Sequence, residues 1–306
     1  MPPPAESAMK PAAMPRLLVI ALGGNALSPP AGDQGYATER AAAATAARQL
    51  AALGAGGRSL LIVHGNGPQV GRLLGSEADT GNLDIHVAQT QGELGYLLAE
   101  ALELASDTPT VALVTRALVD PADPAFGNPT KPIGPLLSAR PAHGPAVQLP
   151  GGWRRTVASP HPQAIVEERA IAALLREQHV IAGGGGGIAL ARAAQGSQGL
   201  AGVIDKDWIA ARLAVALDAQ MLVFATNVAG VEDAHGTDQA RLRPRLSVAQ
   251  ARELLAAGVL GAGSMAPKVE SAVAFVAATG RPALILHTDV LAQALDAAPP
   301  GTLIVP

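Results

Sequence analysis

Leu17-Leu-Val-Ile-Ala-Leu-Gly-Gly-Asn25 decides the fold: six apolar residues of strand length, stopped by two glycines and an asparagine. A run that is apolar at every position, rather than at alternate ones, is buried on both faces. That is the habit of a strand inside a parallel sheet covered by helices. Moving outward, Thr38 to Leu53 is alanine-rich and free of breakers, so it reads as a helix closed by Gly54. Ser59 to His64 repeats the strand pattern and ends at Gly65-Asn66-Gly67-Pro68. Helical sequence follows, then a third strand at about Thr110 to Thr115. Apolar strands alternating with helices mark an α/β protein.

The rhythm breaks between Val119 and Pro162, where ten of the 25 prolines fall and no helix is recognisable. A structureless loop of that length does not suit a compact domain, so this is expected to be a small excursion or lid hung on the main sheet. Beyond it, Gln163 to Gln178 reads as helix and Val180 to Ala182 as a short strand entering five glycines, Gly183 to Gly187. Lys206 to Leu217 reads as helix and Met221 to Ala225 as strand. Helices near Val248 to Ala257 and Pro267 to Thr279 precede strands near Ala283 to Leu286 and Thr302 to Val305. The three main glycine turns each follow a strand. In an open α/β sheet, that sets them along one ligand-binding edge.

With a net charge of −3 and no long basic run, the chain does not read as a nucleic-acid binder. The absence of cysteine excludes disulfides, thiolate metal sites and cysteine nucleophiles. No apolar stretch approaches the roughly 18 residues needed to span a bilayer, so no membrane association is expected. Met1 to Pro15, with five prolines and one lysine, reads as a disordered leader, and the compartment as cytoplasm.

Lysine usage is more telling. There are eighteen arginines and only four lysines: Lys10, Lys131, Lys206 and Lys268. Outside the leader, all three stand beside Pro, Gly or Asp, in Asn128-Pro-Thr-Lys-Pro, Ile204-Asp-Lys-Asp and Met265-Ala-Pro-Lys. A compact ammonium in such a turn suits phosphate. The turns Gly23-Gly24-Asn25 and Gly65-Asn66-Gly67 let backbone N–H groups approach an anion closely. Taken one at a time, these features also fit ordinary strand-to-helix turns and surface lysines. The stretch Gly184-x-Gly186-x-x-Ala189 fits the dinucleotide fingerprint, with Asp205 downstream, but the sequence after Ala189 breaks up where a helix should run. A phosphate-cradling loop is the better reading.

Together, Ala21-Leu-Gly-Gly-Asn-Ala26, His64-Gly-Asn-Gly-Pro-Gln-Val-Gly71, Thr90-Gln-Gly92, Val119-Asp-Pro-Ala-Asp-Pro-Ala-Phe126, Asn128-Pro-Thr-Lys-Pro-Ile-Gly-Pro135, Gly152-Trp-Arg-Arg155, the glycine run, Val203-Ile-Asp-Lys-Asp207 and Gly263-Ser-Met-Ala-Pro-Lys268 closely resemble the carbamate kinases, a branch of the amino-acid kinase superfamily. The resemblance implies a three-layer αβα sandwich around an open, mainly parallel sheet of about eight strands. It also implies one catalytic domain over 16–306, a protruding subdomain at about 120–160, and a homodimer. The implied reaction is phosphoryl transfer between ATP and carbamate, or in reverse from carbamoyl phosphate to ADP, with Mg²⁺ accompanying the nucleotide, in arginine or related nitrogen catabolism. Gly23, Gly24, Asn25, Gly65, Asn66, Gly67, Gly185 and Gly186 would hold the substrate. Lys206 and Lys268 would neutralise the transferring group, Asp207 would position them, and Lys131 would close over the site. Thr226, Asn227, Val228, Val231, Gly263, Ser264, Met265 and Lys268 would contact the nucleotide. No protein metal ligand is implied.

In one departure, Thr226-Asn227-Val228 stands where the family often has Thr-Asp-Val, which loses a charge near a magnesium or nucleotide contact. Three other readings compete: a kinase of another small acid in the superfamily, a dinucleotide-dependent oxidoreductase, and a non-catalytic sensor of carbamoyl phosphate or nucleotide.

Overall fold

The structure is a computed structural model that describes residues 16–28, 35–75, 81–193, 196–260 and 265–306. The expected leader at 1–15 and two expected nucleotide contacts, Gly263 and Ser264, lie outside the described residues, as does the side chain of Asn25. In chain order the elements are β1 (Leu17–Leu22), α1 (Tyr36–Gly54), β2 (Ser59–His64), α2 (Gly67–Leu74), α3 (Leu83–Ser106), β3 (Thr110–Ala112), β4 (Arg116–Val119), β5 (Lys131–Leu137), β6 (Ala146–Leu149), β7 (Gly152–Val157), β8 (Pro162–Ile165) and α4 (Glu168–Leu174). There follow β9 (His179–Ile181), β10 (Ile188–Ala193), β11 (Gly196–Val203), α5 (Lys206–Ala216), β12 (Met221–Thr226), β13 (Glu232–Asp233), β14 (Arg241–Leu242), β15 (Arg245–Ser247), α6 (Val248–Ala256), α7 (Met265–Thr279), β16 (Ala283–His287) and β17 (Thr302–Val305).

Eight strands form the main sheet in the order β15-β17-β16-β12-β1-β2-β9-β3. From β16 to β3 all pairs are parallel; β17 runs antiparallel to β16 and carries β15 with it. The burial of β1 explains its composition. Leu18, Ile20 and Leu22 enter one apolar layer with α1 and α3, while Leu17, Val19 and Ala21 enter the opposite layer with α5 and α7. β2 divides the same way, Leu60 and Ile62 on one side and Leu61 and Val63 on the other. Side chains alternate across a strand, so two buried faces demand an unbroken apolar run. The expected αβα sandwich results.

The sequence reading needs correction in two places. Gln163 to Gln178 is not one helix: Pro162–Ile165 is β8, antiparallel to β4, and α4 begins only at Glu168. The expected strand at Thr110 to Thr115 stops at Ala112 in the main sheet, and the chain re-enters a separate four-stranded sheet as β4. The stretch after the glycine run forms the antiparallel hairpin β10–β11 of that sheet.

The proline-rich stretch holds a three-stranded antiparallel sheet, β5-β7-β6. Its Ile133 and Val157 pack with Val70, Leu74, Leu83 and Val87 from α2 and α3. Gly71 of α2 lies so close to Gly134 that a Cβ would collide with the Gly134 backbone. Two glycines therefore let the small sheet dock on the helix.

Candidate active site

The site sits on the C-terminal edge of the parallel strands, where four turns converge: Gly23-Gly24 after β1, Gly65-Asn66 after β2, the glycine run after β9, and Thr226-Asn227 after β12. Gly23 N–H donates to the Ala225 carbonyl at 2.9 Å and Gly65 N–H to the Leu22 carbonyl at 3.0 Å, which ties the turns to one another. Asn66 donates from Nδ2 to Thr90 Oγ1 at 2.9 Å, and its amide covers Gly185. Gly185 has φ +60°, and a Cβ there would strike that amide, so only glycine fits. The run then continues into strand β10 rather than a helix. That removes the helix N-terminus a dinucleotide fingerprint needs to hold pyrophosphate, and with it the oxidoreductase reading.

Opposite the turns stands α5. Asp205 is its N-cap, with Oδ1 accepting the Asp207 N–H at 2.9 Å. Its other oxygen accepts from Lys131 Nζ at 3.2 Å, and the same ammonium donates to the Ile204 carbonyl at 3.2 Å. Asp207, only 2% exposed, bridges two lysines: Lys206 Nζ at 2.7 Å from Oδ1 and Lys268 Nζ at 3.2 Å from Oδ2. Three lysines from three distant segments thus meet two carboxylates.

The environment tunes these groups in opposite senses. Burial works against the charge of Lys206, but Asp207 and Asp205 outweigh it and hold its pKa above the ordinary lysine value. Lys268 is lowered by burial and then by the neighbouring Lys206 charge, against the pull of Asp207. Asp205 is held well below the usual carboxylate range: burial opposes this, but Lys131 and Lys206 overcome it.

His64 supports the turn from beneath. It is buried, its Nδ1 lies 3.1 Å from the Gly65 carbonyl, and its ring abuts Gly184. Burial lowers its pKa from 6.5 to about 4, against that hydrogen bond. Between those pH values the unfolded chain binds a proton that the folded chain refuses, so stability falls as pH falls through the window. The loss should reach about 3 kcal/mol by pH 4. Urea midpoints at pH 7 and pH 4 should show it, and His64→Gln should flatten the difference; an equally steep difference in that variant would dismiss His64 as the cause.

These residues line a cleft of about 760 Å³. Of the expected site residues, it brings together Gly23, Gly24, Gly65, Asn66, Gly67, Gly185, Lys131, Lys206, Asp207, Lys268, Thr226 and Asn227. Gly186, Val228, Val231 and Met265 are not on its wall. Val231 belongs to the core, with its N–H bound to Thr302 Oγ1 at 2.8 Å. The sequence reading did not single out Thr38, Ala42 and Thr45 of α1, or Thr288, all of which line the cleft. Small residues on a helix face carry no motif. Among the described residues, no cluster of three or more His, Asp or Glu side chains is placed to hold a metal ion, and no helix is long and apolar enough to cross a membrane.

A lysine-lined edge fed by glycine turns is the arrangement of an enzyme that handles phosphate, and comparison with known proteins agrees. The family model described as "Amino acid kinase family" matches residues 16–287. The chain belongs to the amino acid kinase family. Its relatives within that family include several carbamate kinases. The carbamate kinase of Pyrococcus horikoshii is 35% identical over 316 residues, covering 96% of this chain and all of its own. The "Carbamate kinase-like protein YqeA" of Escherichia coli K12 is 39% identical over 295 residues, covering 89% of this chain and 94% of its own. Among solved structures, the carbamate kinase from Giardia lamblia bound to AMP-PNP superposes with a TM-score of 0.84 at 31% identity, covering 95% of this chain and 98% of that one.

Proposed function

We propose that this member of the amino acid kinase family is a carbamate kinase, which moves a phosphoryl group between ATP and carbamate. The observation that carries this reading is the convergence of Lys131, Lys206 and Lys268 on Asp205 and Asp207, facing the glycine turns. Phosphoryl transfer depends on positioning and electrostatics rather than covalent help from the protein. Carbamate is already an anion, so no general base is required to activate it. In the reverse direction, a terminal oxygen of ADP attacks the phosphorus of carbamoyl phosphate. The bond from phosphorus to the carbamoyl oxygen breaks, and carbamate leaves with the electron pair. Lys206 and Lys268 then face the charge spread over the transferring oxygens, and Asp207 fixes their separation. The backbone N–H groups of Gly24, Asn66 and Gly67 complete the cradle, that of Gly65 being bound to the Leu22 carbonyl.

Asp205 and Asp207 are both engaged by lysines. Magnesium would enter as part of the nucleotide substrate, and the oxygens of Asn227 and Asp289 on the cleft wall would be available to it as outer contacts. In this reading the nucleotide lies along Thr226 and Asn227 and against Lys268 of α7, and Val228, Gly263, Ser264 and Met265 are its further contacts beyond the cleft wall. Val231 backs that wall from the core. The 120–160 excursion serves as a lid, and the protein works as a cytoplasmic homodimer.

The test couples purified protein, Mg²⁺, ADP and carbamoyl phosphate to a luciferase readout of ATP, with acetyl phosphate as control. ATP from carbamoyl phosphate alone is the expected result. ATP from acetyl phosphate alone would turn the assignment to another small-acid kinase, and binding without turnover would indicate a sensor. Lys131→Ala should lower kcat about 10²-fold, since it removes one positioned charge from the closing wall. An unchanged kcat would make Lys131 an ordinary surface residue.

A further inference from the structure

A fourth cation lines the cleft beside the three lysines: Arg154, on β7 of the small sheet. The pairing of β5 with β7 sets Pro132 opposite Thr156 and Ile133 opposite Arg155. Side chains alternate along a strand, so Arg154 shares a face with Thr156 and Pro132. The other face carries Ile133 and Val157, which pack toward α2. Arg154 therefore stands on the cleft side because the opposite face is committed to the core.

Its surroundings set it apart. Lys131 has Asp205, and Lys206 and Lys268 share Asp207. Arg154 has no carboxylate among the described residues, and its Nε is buried without a hydrogen-bond partner. A half-buried guanidinium without a counter-charge is unfavourable, and an anion in the cleft would relieve it. The planar fork of arginine matches two oxygens of a carboxylate or phosphate, which a lysine cannot do in the same way.

We infer that Arg154 is a substrate-binding residue that grips the anionic oxygens of carbamoyl phosphate, or of carbamate in the other direction, from the small sheet. The nucleotide lies on the opposite wall, near Asn227 and Lys268. The identity of the anion rests on the function proposed above; the anion-binding role of Arg154 does not.

The experiment therefore has two arms. In the kinetic arm, Arg154→Ala should raise KM for carbamoyl phosphate at least about tenfold while KM for ADP stays within about twofold, and Arg154→Lys should recover only part of the loss. In the binding arm, the wild type and both variants are titrated calorimetrically with sodium sulfate in the absence of nucleotide. Sulfate affinity should fall in Arg154→Ala, with circular dichroism confirming an intact fold. Equal changes in both KM values, or unchanged sulfate affinity, would overturn the assignment. Should the wild type make no ATP from carbamoyl phosphate, the functional reading fails, while the sulfate titration still decides Arg154.

Discussion

Lys206→Ala should lower kcat by about 10³-fold or more while leaving the protein folded. The side chain leaves the first turn of α5 and runs beside the glycine turn, its Cδ 3.5 Å from where a Cβ on Gly65 would lie. It is therefore within reach of any group held at the Gly23-Gly24 and Gly65–Gly67 turns. The Asp207 bridge and the Asp205 cap hold it at this position. Alanine is a good helix former, and Asp207 retains Lys268 as a partner, so the fold should survive. The measurement is steady-state ATP synthesis together with a thermal unfolding curve. A near wild-type kcat would remove Lys206 from the mechanism proposed here, whereas loss of rate with an unaltered melt would support it.

Asp207→Ala should cost more, in stability as well as rate. This carboxylate is almost wholly buried between Lys206 and Lys268, whose side chains are 12% and 3% exposed. Removing it leaves two buried ammonium groups repelling each other without their shared counter-charge. Breaking a buried ion pair from one side costs about 3–5 kcal/mol. Urea unfolding should register the loss at neutral pH. A double variant, Asp207→Ala with Lys268→Met, should be more stable than Asp207→Ala alone, because one of the two repelling charges goes with the lysine. Such non-additivity is the signature of direct coupling. If the single variant unfolds at the wild-type midpoint, Asp207 is not offsetting the lysines. Turnover should vanish in both variants, since the spacing of the two cations is lost.

The parts of the fold that the sequence disclosed are those where two buried faces leave a strand no polar position. β1, β2 and β12 were legible for that reason. β8 was not: Gln163 to Gln178 holds no glycine or proline to mark a break, and the partner that makes Pro162–Ile165 a strand is β4, far upstream. Long-range pairing overrides local preference in short segments. The hairpin β10–β11 was hidden by glycine and glutamine, residues that favour turns and say little about sheets. At the site, the lysines stood out because the chain has so few. Arg154 sat in plain view within Gly152-Trp-Arg-Arg155, but among eighteen arginines its type carried no signal. Its place on the cleft wall with a buried Nε that finds no partner distinguishes it, and that is a property of the folded chain.

The floor and roof of the cleft are anchored very differently. The floor turns emerge from β1, β2 and β12, each clamped between two apolar layers, so altering their positions would disturb both layers at once. The roof, bearing Lys131 and Arg154, rests on a small apolar patch against α2 and α3 and on the Lys131–Asp205 pair. Inheritance should act unequally on the two. The floor can drift little without loss of the whole domain, while the roof can be rebuilt piecemeal. A descendant that changed the acid it phosphorylates would do so by redesigning the roof over a floor left as it was.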